Sequence, residues 1–234
     1  MRKILLLLLT ALMGCTLQST AATDKVFTDL IARMRLLESY SYDMELTTFV
    51  EDTAVRPEIR HMRAYTSVQD FVRWISGDSM LQFTCAYGNF SVDSSARRVY
   101  YHEFSGAKMS GQQLQTYREQ TRAYADSLFS DKLIITKKQQ QKGITTYYCK
   151  YPPGGQMLSL ELSVSSNSAM AERLSCVLRV PINPGFSVSD MLQRITLSHY
   201  SRKVPAEVTA LLNECVHLEQ YLKNAYSSFE LIKN

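Results

Sequence analysis

Short segments in which apolar and polar residues alternate constrain the fold of this chain more than any other feature. Residues 40–47 have the period of two that is typical of a half-buried strand, and the same period returns at 157–164. Short runs rich in Ser, Asn, Gly or Pro separate such segments, for example at 94–97 and 152–155. Consecutive strands joined by short turns predict an antiparallel sheet rather than parallel strand–helix–strand units.

Three other segments carry apolar residues at helical spacing. The first follows Thr23, which is placed to cap it, the second opens near residue 110, and the third begins after Pro205. Each has one apolar stripe that must pack against something. The sequence therefore predicts an α+β fold: a large curved antiparallel sheet, an incomplete β-barrel, with helices packed on its concave side.

The first 22 residues have the layout of a secretory signal peptide. Arg2 and Lys3 form a basic start, residues 4–13 form an apolar run, and a segment rich in small residues ends at Ala22. An apolar run of ten residues is too short to span a bilayer, which takes about 20. The sequence therefore predicts a single domain at residues 23–234 that lies outside the cytoplasm.

The sequence allows two ways of processing this signal segment. Small residues at 19–22 suit an ordinary signal peptidase, which would release a soluble periplasmic protein. Residues 12–15 (Leu-Met-Gly-Cys) instead resemble a bacterial lipobox, in which Cys15 would be acylated and would tether the protein to a membrane. Both ways of processing place the domain in a bacterial envelope.

The charge and hydropathy of the chain give no indication of a nucleic-acid partner or of a transmembrane anchor. The formal charge is +4, and removal of Arg2 and Lys3 with the signal leaves about +2, which is too weak to indicate a nucleic-acid partner. No second hydrophobic span is present, so we expect no transmembrane anchor.

Four cysteines follow the signal segment: Cys85, Cys149, Cys176 and Cys215. An even number in an oxidising compartment allows two disulfides with three connectivities. The alternative is four buried thiols that act as small apolar side chains. The sequence leaves the pairing open.

The sequence contains no catalytic signature. Its four histidines are far apart and match no metal-binding spacing, and no phosphate-binding loop, dinucleotide fingerprint or nucleophile elbow is present. We therefore expect no enzyme activity, no metal and no cofactor. Lys137, Lys138 and Lys142 form a small basic turn, which is either simply solvated or a contact for anionic lipid headgroups or an acidic partner.

Large aromatic residues are frequent on the predicted strands. They indicate either ordinary sheet packing or an apolar cavity that accepts acyl chains. For the second alternative, the residues expected to line the apolar concave face are Tyr42, Met44, Leu46, Trp74, Phe90 and Val92.

The layout resembles a known family. The signal segment, the amphipathic first helix, the Ser-Tyr-Ser-Tyr entry at 39–42, the Phe-Ser-Val-Asp run at 90–93 and the Arg-Arg-Val-Tyr-Tyr run at 97–101 are similar to periplasmic lipoprotein carriers of the LolA type. The resemblance implies an incomplete β-barrel closed by helices that shelters the acyl chains of lipoproteins. It also implies a functional arginine on the second or third strand, for which Arg60, Arg63 and Arg73 are candidates.

These observations predict a non-catalytic periplasmic protein that binds lipid or lipoprotein acyl chains. Transfer of each acyl methylene from water into an apolar cavity is worth about 0.8 kcal/mol, so uptake needs no chemistry. The alternative is a structural or protein-interaction module of the envelope, which has the same fold but no lipid ligand.

Overall fold

The computed structural model describes residues 19–20, 24–35, 39–50, 56–104, 111–116, 118–119, 133–165, 171–180 and 191–234. The strands are β1 (Ser19–Thr20), β2 (Ser39–Val50), β3 (Glu58–Ser67), β4 (Val72–Gly77), β5 (Met80–Cys85), β6 (Gly88–Asp93), β7 (Arg98–Glu103), β8 (Ile134–Gln141), β9 (Ile144–Lys150), β10 (Met157–Ser165), β11 (Ala171–Arg179), β12 (Met191–Ser201) and β13 (Glu230–Lys233). The helices are α1 (Lys25–Arg35), α2 (Ala206–Glu214) and α3 (Leu218–Ala225), with a 3-10 turn at Cys215–His217 between the last two. Residues 111–116 and 118–119 are also helical, and most of the helix predicted beyond residue 110 lies outside the described residues.

The strands form one thirteen-stranded sheet in the order β1-β8-β9-β10-β11-β12-β2-β3-β4-β5-β6-β7-β13. Neighbouring strands are antiparallel except β13, which pairs with β7 in parallel. β1 and β13 end this order and do not pair with each other in the described part of the chain, so the sheet is open. The predicted α+β class with a large, open, mostly antiparallel sheet is confirmed.

Strand register separates the apolar residues into two faces. On the front face, Leu162, Leu174, Leu197, Met44 and Met62 lie opposite one another across β10, β11, β12, β2 and β3. On the back face, the residues that lie opposite one another across β3 to β7 are aromatic: Tyr65, Trp74, Phe83, Phe90 and Tyr101. Because successive residues of a strand point to opposite faces, the sheet has apolar surface on both sides.

Helix α1 covers part of the front face and forms the N-terminal core with β8 to β11. Phe27, Leu30 and Ile31 pack there against residues that include Tyr147 and Leu162. The rings of Phe27 and Tyr147 meet edge to face with centroids 5.2 Å apart. Burial of this apolar stripe, rather than helix propensity, accounts for the stability of so short a helix.

The N-cap of α1 differs from the prediction. Asp24 Oδ1 accepts a hydrogen bond from the backbone N–H of Phe27 at 3.1 Å, so Asp24 caps the helix. Thr23 lies outside the described residues. Lys138 Nζ donates to Asp24 Oδ2 at 2.9 Å, which ties the start of the helix to β8.

The predicted basic turn also needs correction. Lys137 and Lys138 lie within β8, which continues to Gln141, and only Lys142 lies at the turn, with a φ of 50°. Because β9 pairs with this polar stretch as far as Gln141, strand pairing extends farther than the apolar residues indicate. Lysine on a strand near the sheet edge also discourages edge-to-edge association.

Helices α2 and α3 cover the back face and form the C-terminal core with β3 to β7. Val208 and Leu222 are fully buried there against the aromatic residues of the sheet. The helix predicted after Pro205 does begin at Ala206, but the 3-10 turn divides it. Gly88 permits the close approach of α3, since a Cβ at this position would lie 2.8 Å from Leu218 Cδ2.

Within the described residues, no helix has the length and apolar character needed to cross a membrane.

Candidate ligand-binding face

A methionine-rich surface continues the front face beyond the N-terminal core. We call it the methionine patch, and its residues lie on β2 to β5: Tyr42, Met44, Leu46, Met62, Ala64, Ile75 and Met80. Met62, Ala64 and Ile75 are buried, and the other members are half-buried. The patch is therefore an apolar floor with a rim that is only half-covered by the described residues.

Methionine gives this patch an adaptable surface. Met44, Met62 and Met80 have unbranched side chains with three rotatable bonds and a polarisable sulfur, so they can fit apolar partners of irregular shape. Leu46 and Ile75 supply stiffer apolar contacts beside them. Such a surface suits a flexible hydrocarbon better than a rigid polar ligand.

A tyrosine cluster lies beside the methionine patch. The ring centroid of Tyr200 is 6.1 Å from that of Tyr40 and 6.0 Å from that of Tyr42, which belongs to the patch. The hydroxyl oxygen of Tyr200 is buried and has no hydrogen-bond partner among the described residues. A buried, unsatisfied hydroxyl costs about 1–3 kcal/mol, so this group is a candidate donor for a ligand.

Burial also decides the protonation of this hydroxyl. It raises the pKa of Tyr200 far above the usual value, and the neighbouring Tyr40 and Tyr42 raise it further. The hydroxyl therefore stays protonated at all physiological pH values and can donate a hydrogen bond to a carbonyl oxygen.

A β-bulge places Tyr200 on the front face. The pairing of β12 with β2 shifts between Ser198 and Ser201, so that two residues of β12 lie opposite one of β2. His199 adopts a φ of 52° at this bulge, and its Nδ1 lies 2.9 Å from Asp43 Oδ2 on the back face. Regular alternation from Ser198 would put Tyr200 on the back face, and the extra residue of the bulge puts it on the front.

The six residues predicted to line one apolar face lie on two. Tyr42, Met44 and Leu46 belong to the methionine patch on the front. The other three, Trp74, Phe90 and Val92, are buried on the back in the C-terminal core, each at most 3% exposed. The structure therefore does not bring the two groups together, and Cys15 lies outside the described residues.

The register explains this separation. Ala64 lies opposite Ile75 on the front, and Tyr65 lies opposite Trp74 on the back. On β3 and β4, the front-facing and the back-facing residues both include apolar side chains. The alternation of residues along a strand therefore does not predict which face binds a ligand. The buried Met62 and Ile75, which complete the patch, were missed for the same reason.

The back face also contains a polar groove of ≈ 920 Å³. Several of its ionisable side chains are paired. His199 contacts Asp43, His61 Nδ1 lies 3.8 Å from Glu45 Oε2, and Arg63 Nη1 lies 3.2 Å from Glu207 Oε1 on α2. Because most of these groups are more than half exposed, each pair contributes little stability.

The three candidate arginines differ in position. Arg60 lies opposite Leu46 on the front face and pairs with Glu58 at 2.6 Å. Arg73 is also on the front face and exposed, whereas Arg63 lies on the back beside Trp74. Arg60 and Arg73 thus share the face of the methionine patch, and Arg63 does not.

In the described part of the chain, no three His, Cys, Asp or Glu side chains are grouped in a way that could hold a metal ion. His102 Nδ1 lies 2.9 Å from the carbonyl oxygen of Asn234, and so it serves to hold the end of the chain against β7.

Comparison with known proteins gives structural likeness only. No protein-family model matches the sequence, and no curated protein matches it. An uncharacterized conserved protein from Thermus thermophilus has a similar structure at 10% identity, with a TM-score of 0.44 and coverage of 90% of this chain and 100% of that one.

Members of the family that the sequence resembles are also among the similar structures. A LolA superfamily protein from Nitrosomonas europaea has 8% identity and a TM-score of 0.31, with coverage of 81% of this chain and 97% of that one. A structure described as an outer membrane lipoprotein-sorting protein domain, from Vibrio parahaemolyticus, has 9% identity and a TM-score of 0.30, with coverage of 85% and 97%. At these values the likeness carries no argument about ligands, which must come from the residues of this chain.

Proposed function

We propose that this protein is a lipid- or lipoprotein-binding protein of the bacterial envelope that holds acyl chains against the methionine patch. The observation that carries the proposal is the patch itself: buried Met62, Ala64 and Ile75 beneath the half-buried Met44 and Leu46. Proteins seldom leave contiguous apolar surface open to water unless it binds something.

The energy of acyl burial sets the scale of binding. Each methylene removed from water contributes about 0.8 kcal/mol, so about five of them give roughly the 4 kcal/mol of a millimolar complex. Ten methylenes, from one long chain or two short ones, supply roughly 8 kcal/mol and reach micromolar affinity before losses of freedom are counted. Micromolar affinity therefore requires burial of about ten methylenes, from one long acyl chain or two short ones.

The Tyr200 hydroxyl favours a ligand with an esterified acyl group over an unsubstituted hydrocarbon. It is a permanently protonated donor beside the patch, and an ester carbonyl oxygen is an acceptor of matching polarity. Phospholipids and acylated lipoproteins both carry such esters. Tyr42 contacts Tyr200 and belongs to the patch, so the donor and the apolar surface adjoin.

The N-terminal segment supports an envelope location. Its basic start, apolar run and small-residue exit suit export. Ser19–Thr20 pairs with Ile134 and Ile135 of β8. Cleavage at 21–22 would remove this strand, whereas processing at Cys15 would retain it, and the intact mass of the mature protein distinguishes the two ways of processing.

Binding can be tested with two variants at adjacent positions. Purified protein is titrated with a fluorescent fatty acid and with a diacyl phospholipid, and binding is followed by fluorescence and native mass spectrometry. Met44→Glu places a charge on the patch, and we expect it to weaken binding at least tenfold, because ligand binding would bury that charge. Glu45→Gln is the matched control, since its side chain lies on the back face and binding should not change.

Two outcomes would contradict the proposal. One is the absence of saturable binding by the unmodified protein, combined with native mass spectra that show no bound lipid. The other is an equal loss of binding in both variants. Stable capture of one envelope protein by a lipid-free sample would instead support the alternative of a protein-interaction module.

A further inference from the structure

The structure separates the four cysteines into two pairs of very different geometry. Cys85 at the end of β5 and Cys215 in the 3-10 turn are both in the C-terminal core, each 1% exposed. Cys149 on β9 and Cys176 on β11 belong to the front face around the N-terminal core. Cys85 and Cys215 are 130 positions apart in the sequence, so only the fold reveals that these two thiols meet.

Cys85 and Cys215 are in direct contact. The Cys215 side chain donates a hydrogen bond to the sulfur of Cys85, and both side chains are buried in the C-terminal core. The hydrogen bond from Cys215 is the largest influence on Cys85 and, with the backbone N–H groups of Tyr87 and Gly88, outweighs burial and holds the pKa of Cys85 below its usual value. The same contact raises the pKa of Cys215, so Cys85 is the better nucleophile of the pair.

Cys149 and Cys176 cannot form a disulfide without a rearrangement of the sheet. Both lie opposite Leu160, one on each side of β10. Two strand spacings of about 4.8 Å separate their Cα atoms by roughly 9.6 Å, beyond the limit of about 7 Å for a disulfide. Burial raises the pKa of both thiols, to about 12 for Cys149, which makes them poor nucleophiles.

We propose that Cys85 and Cys215 form a disulfide in the exported protein and that Cys149 and Cys176 remain free thiols. The two thiols lose two protons and two electrons, and the acceptor is the disulfide form of a thiol–disulfide oxidoreductase in the oxidising compartment. The thiolate of one of the two cysteines attacks the disulfide of the oxidant and forms a mixed disulfide, and the other cysteine then displaces the thiol of the oxidant. The proposal rests on export and not on lipid binding, so either can fail without the other.

Burial determines when this reaction occurs and how long its product lasts. Both sulfur atoms are inaccessible once α2 and α3 cover the back face, so oxidation takes place before these helices dock. Docking then shields the bond from reduction. The disulfide would attach the C-terminal helices to β5 and close a loop of roughly 130 residues, the class of long loop for which cross-linking most restricts the unfolded chain.

Peptide mapping of the exported protein tests the pairing. The full chain is produced with its own N-terminal segment, denatured in acid, alkylated without reductant and digested. We expect one linked pair of peptides containing Cys85 and Cys215, with Cys149 and Cys176 fully alkylated. Alkylation of all four cysteines, or any other linked pair, would overturn the proposal.

Thermal unfolding provides a second test with a matched control. Reductant present during unfolding should lower the midpoint of the unmodified protein by about 10 °C, the order expected for a long-loop disulfide in a chain of this size. Cys215→Ser should start from the lower midpoint and show no response to reductant, whereas Cys176→Ser should keep the full response. A reductant-insensitive unmodified protein would contradict the proposal even if Cys215→Ser failed to fold.

Discussion

The two faces of the sheet carry apolar surfaces of different character. On the back, the C-terminal core is closed, with Phe83, Val99 and Leu222 at most 1% exposed beneath α2 and α3. On the front, the N-terminal core is equally closed beneath α1, but the apolar surface continues into the half-buried methionine patch. Among the described residues, helices close the apolar part of the back face, whereas the front face combines a closed part with the half-buried methionine patch, which we propose as the binding surface.

The two apolar surfaces also differ in residue type. Aromatic rings contact one another in the C-terminal core: the ring centroids of Phe83 and Phe90 are 5.7 Å apart, and those of Phe90 and Tyr221 of α3 are 6.2 Å apart. Such contacts have preferred geometries and define one packing arrangement. The methionine patch contains flexible side chains that can adjust to different partners.

The largest expected effect is on the back face. Phe83→Ala should lower the free energy of unfolding by about 3–5 kcal/mol, because it leaves a cavity in a closed aromatic core. Urea denaturation measures this loss, and titration at a temperature where the variant is folded should show unchanged acyl binding per folded molecule. If Phe83→Ala also abolished binding by the folded variant, the division between the two faces would be wrong.

An intermediate effect is expected at the start of α1 on the front face. Asp24→Ala removes the helix cap and the Lys138 ion pair, so it should lower the free energy of unfolding by about 1–2 kcal/mol. Asp24→Asn keeps a capping side chain but loses the charge, and it should cost less. Equal losses in the two variants would show that the charge, not the cap, stabilises the helix.

The charge of Asp24 also predicts a pH dependence. Burial raises its pKa, but the hydrogen bonds from Lys138 and Phe27 and the Lys138 charge outweigh burial, so the net pKa is below the ordinary value of 3.8. A lowered folded-state pKa contributes stability that is present above 3.8 and lost as the pH falls below it. The stability difference between the unmodified protein and Asp24→Asn should therefore persist at pH 5–7 and shrink below about pH 4, as followed by urea denaturation at each pH.

The smallest effect on stability is expected at Tyr200. Tyr200→Phe removes a buried hydroxyl that has no partner among the described residues, so the free energy of unfolding should stay the same or rise slightly. Binding of a fatty acid methyl ester should weaken by about 2–10-fold, the equivalent of one hydrogen bond. Binding of the alkane of the same chain length should not change. Equal effects on ester and alkane would exclude the hydroxyl as a donor to the ligand.

Much of the sheet could be predicted, since alternation is a local property. The pattern at 40–47 lies within β2, and the turn predicted at 94–97 lies between β6 and β7. Strand β5 was missed, and so was the polar second half of β8, where pairing with β9 extends a strand that its own side chains do not indicate. The split of the last helix by a 3-10 turn was also missed, because its apolar spacing continues through Cys215.

The candidate site was only half predictable. Tyr42, Met44 and Leu46 lie on an alternating strand, and so does Trp74. The alternation therefore does not distinguish the methionine patch, which is half-buried among the described residues, from the closed C-terminal core. The Tyr200 donor depends on a bulge that interrupts pairing between strands distant in sequence. The sequence of β12 alone predicts neither the bulge nor the position of Tyr200 on the front face.

Local sequence thus decides which residues of each strand share a face, because successive side chains point to opposite sides of an extended backbone. It also decides where chains turn and where a helix begins, as Pro205 before Ala206 shows. Which face each helix covers, and which cysteines meet, depends on register and packing between residues as distant as Cys85 and Cys215. These long-range contacts form only when the whole sheet assembles, so they belong to the tertiary structure alone.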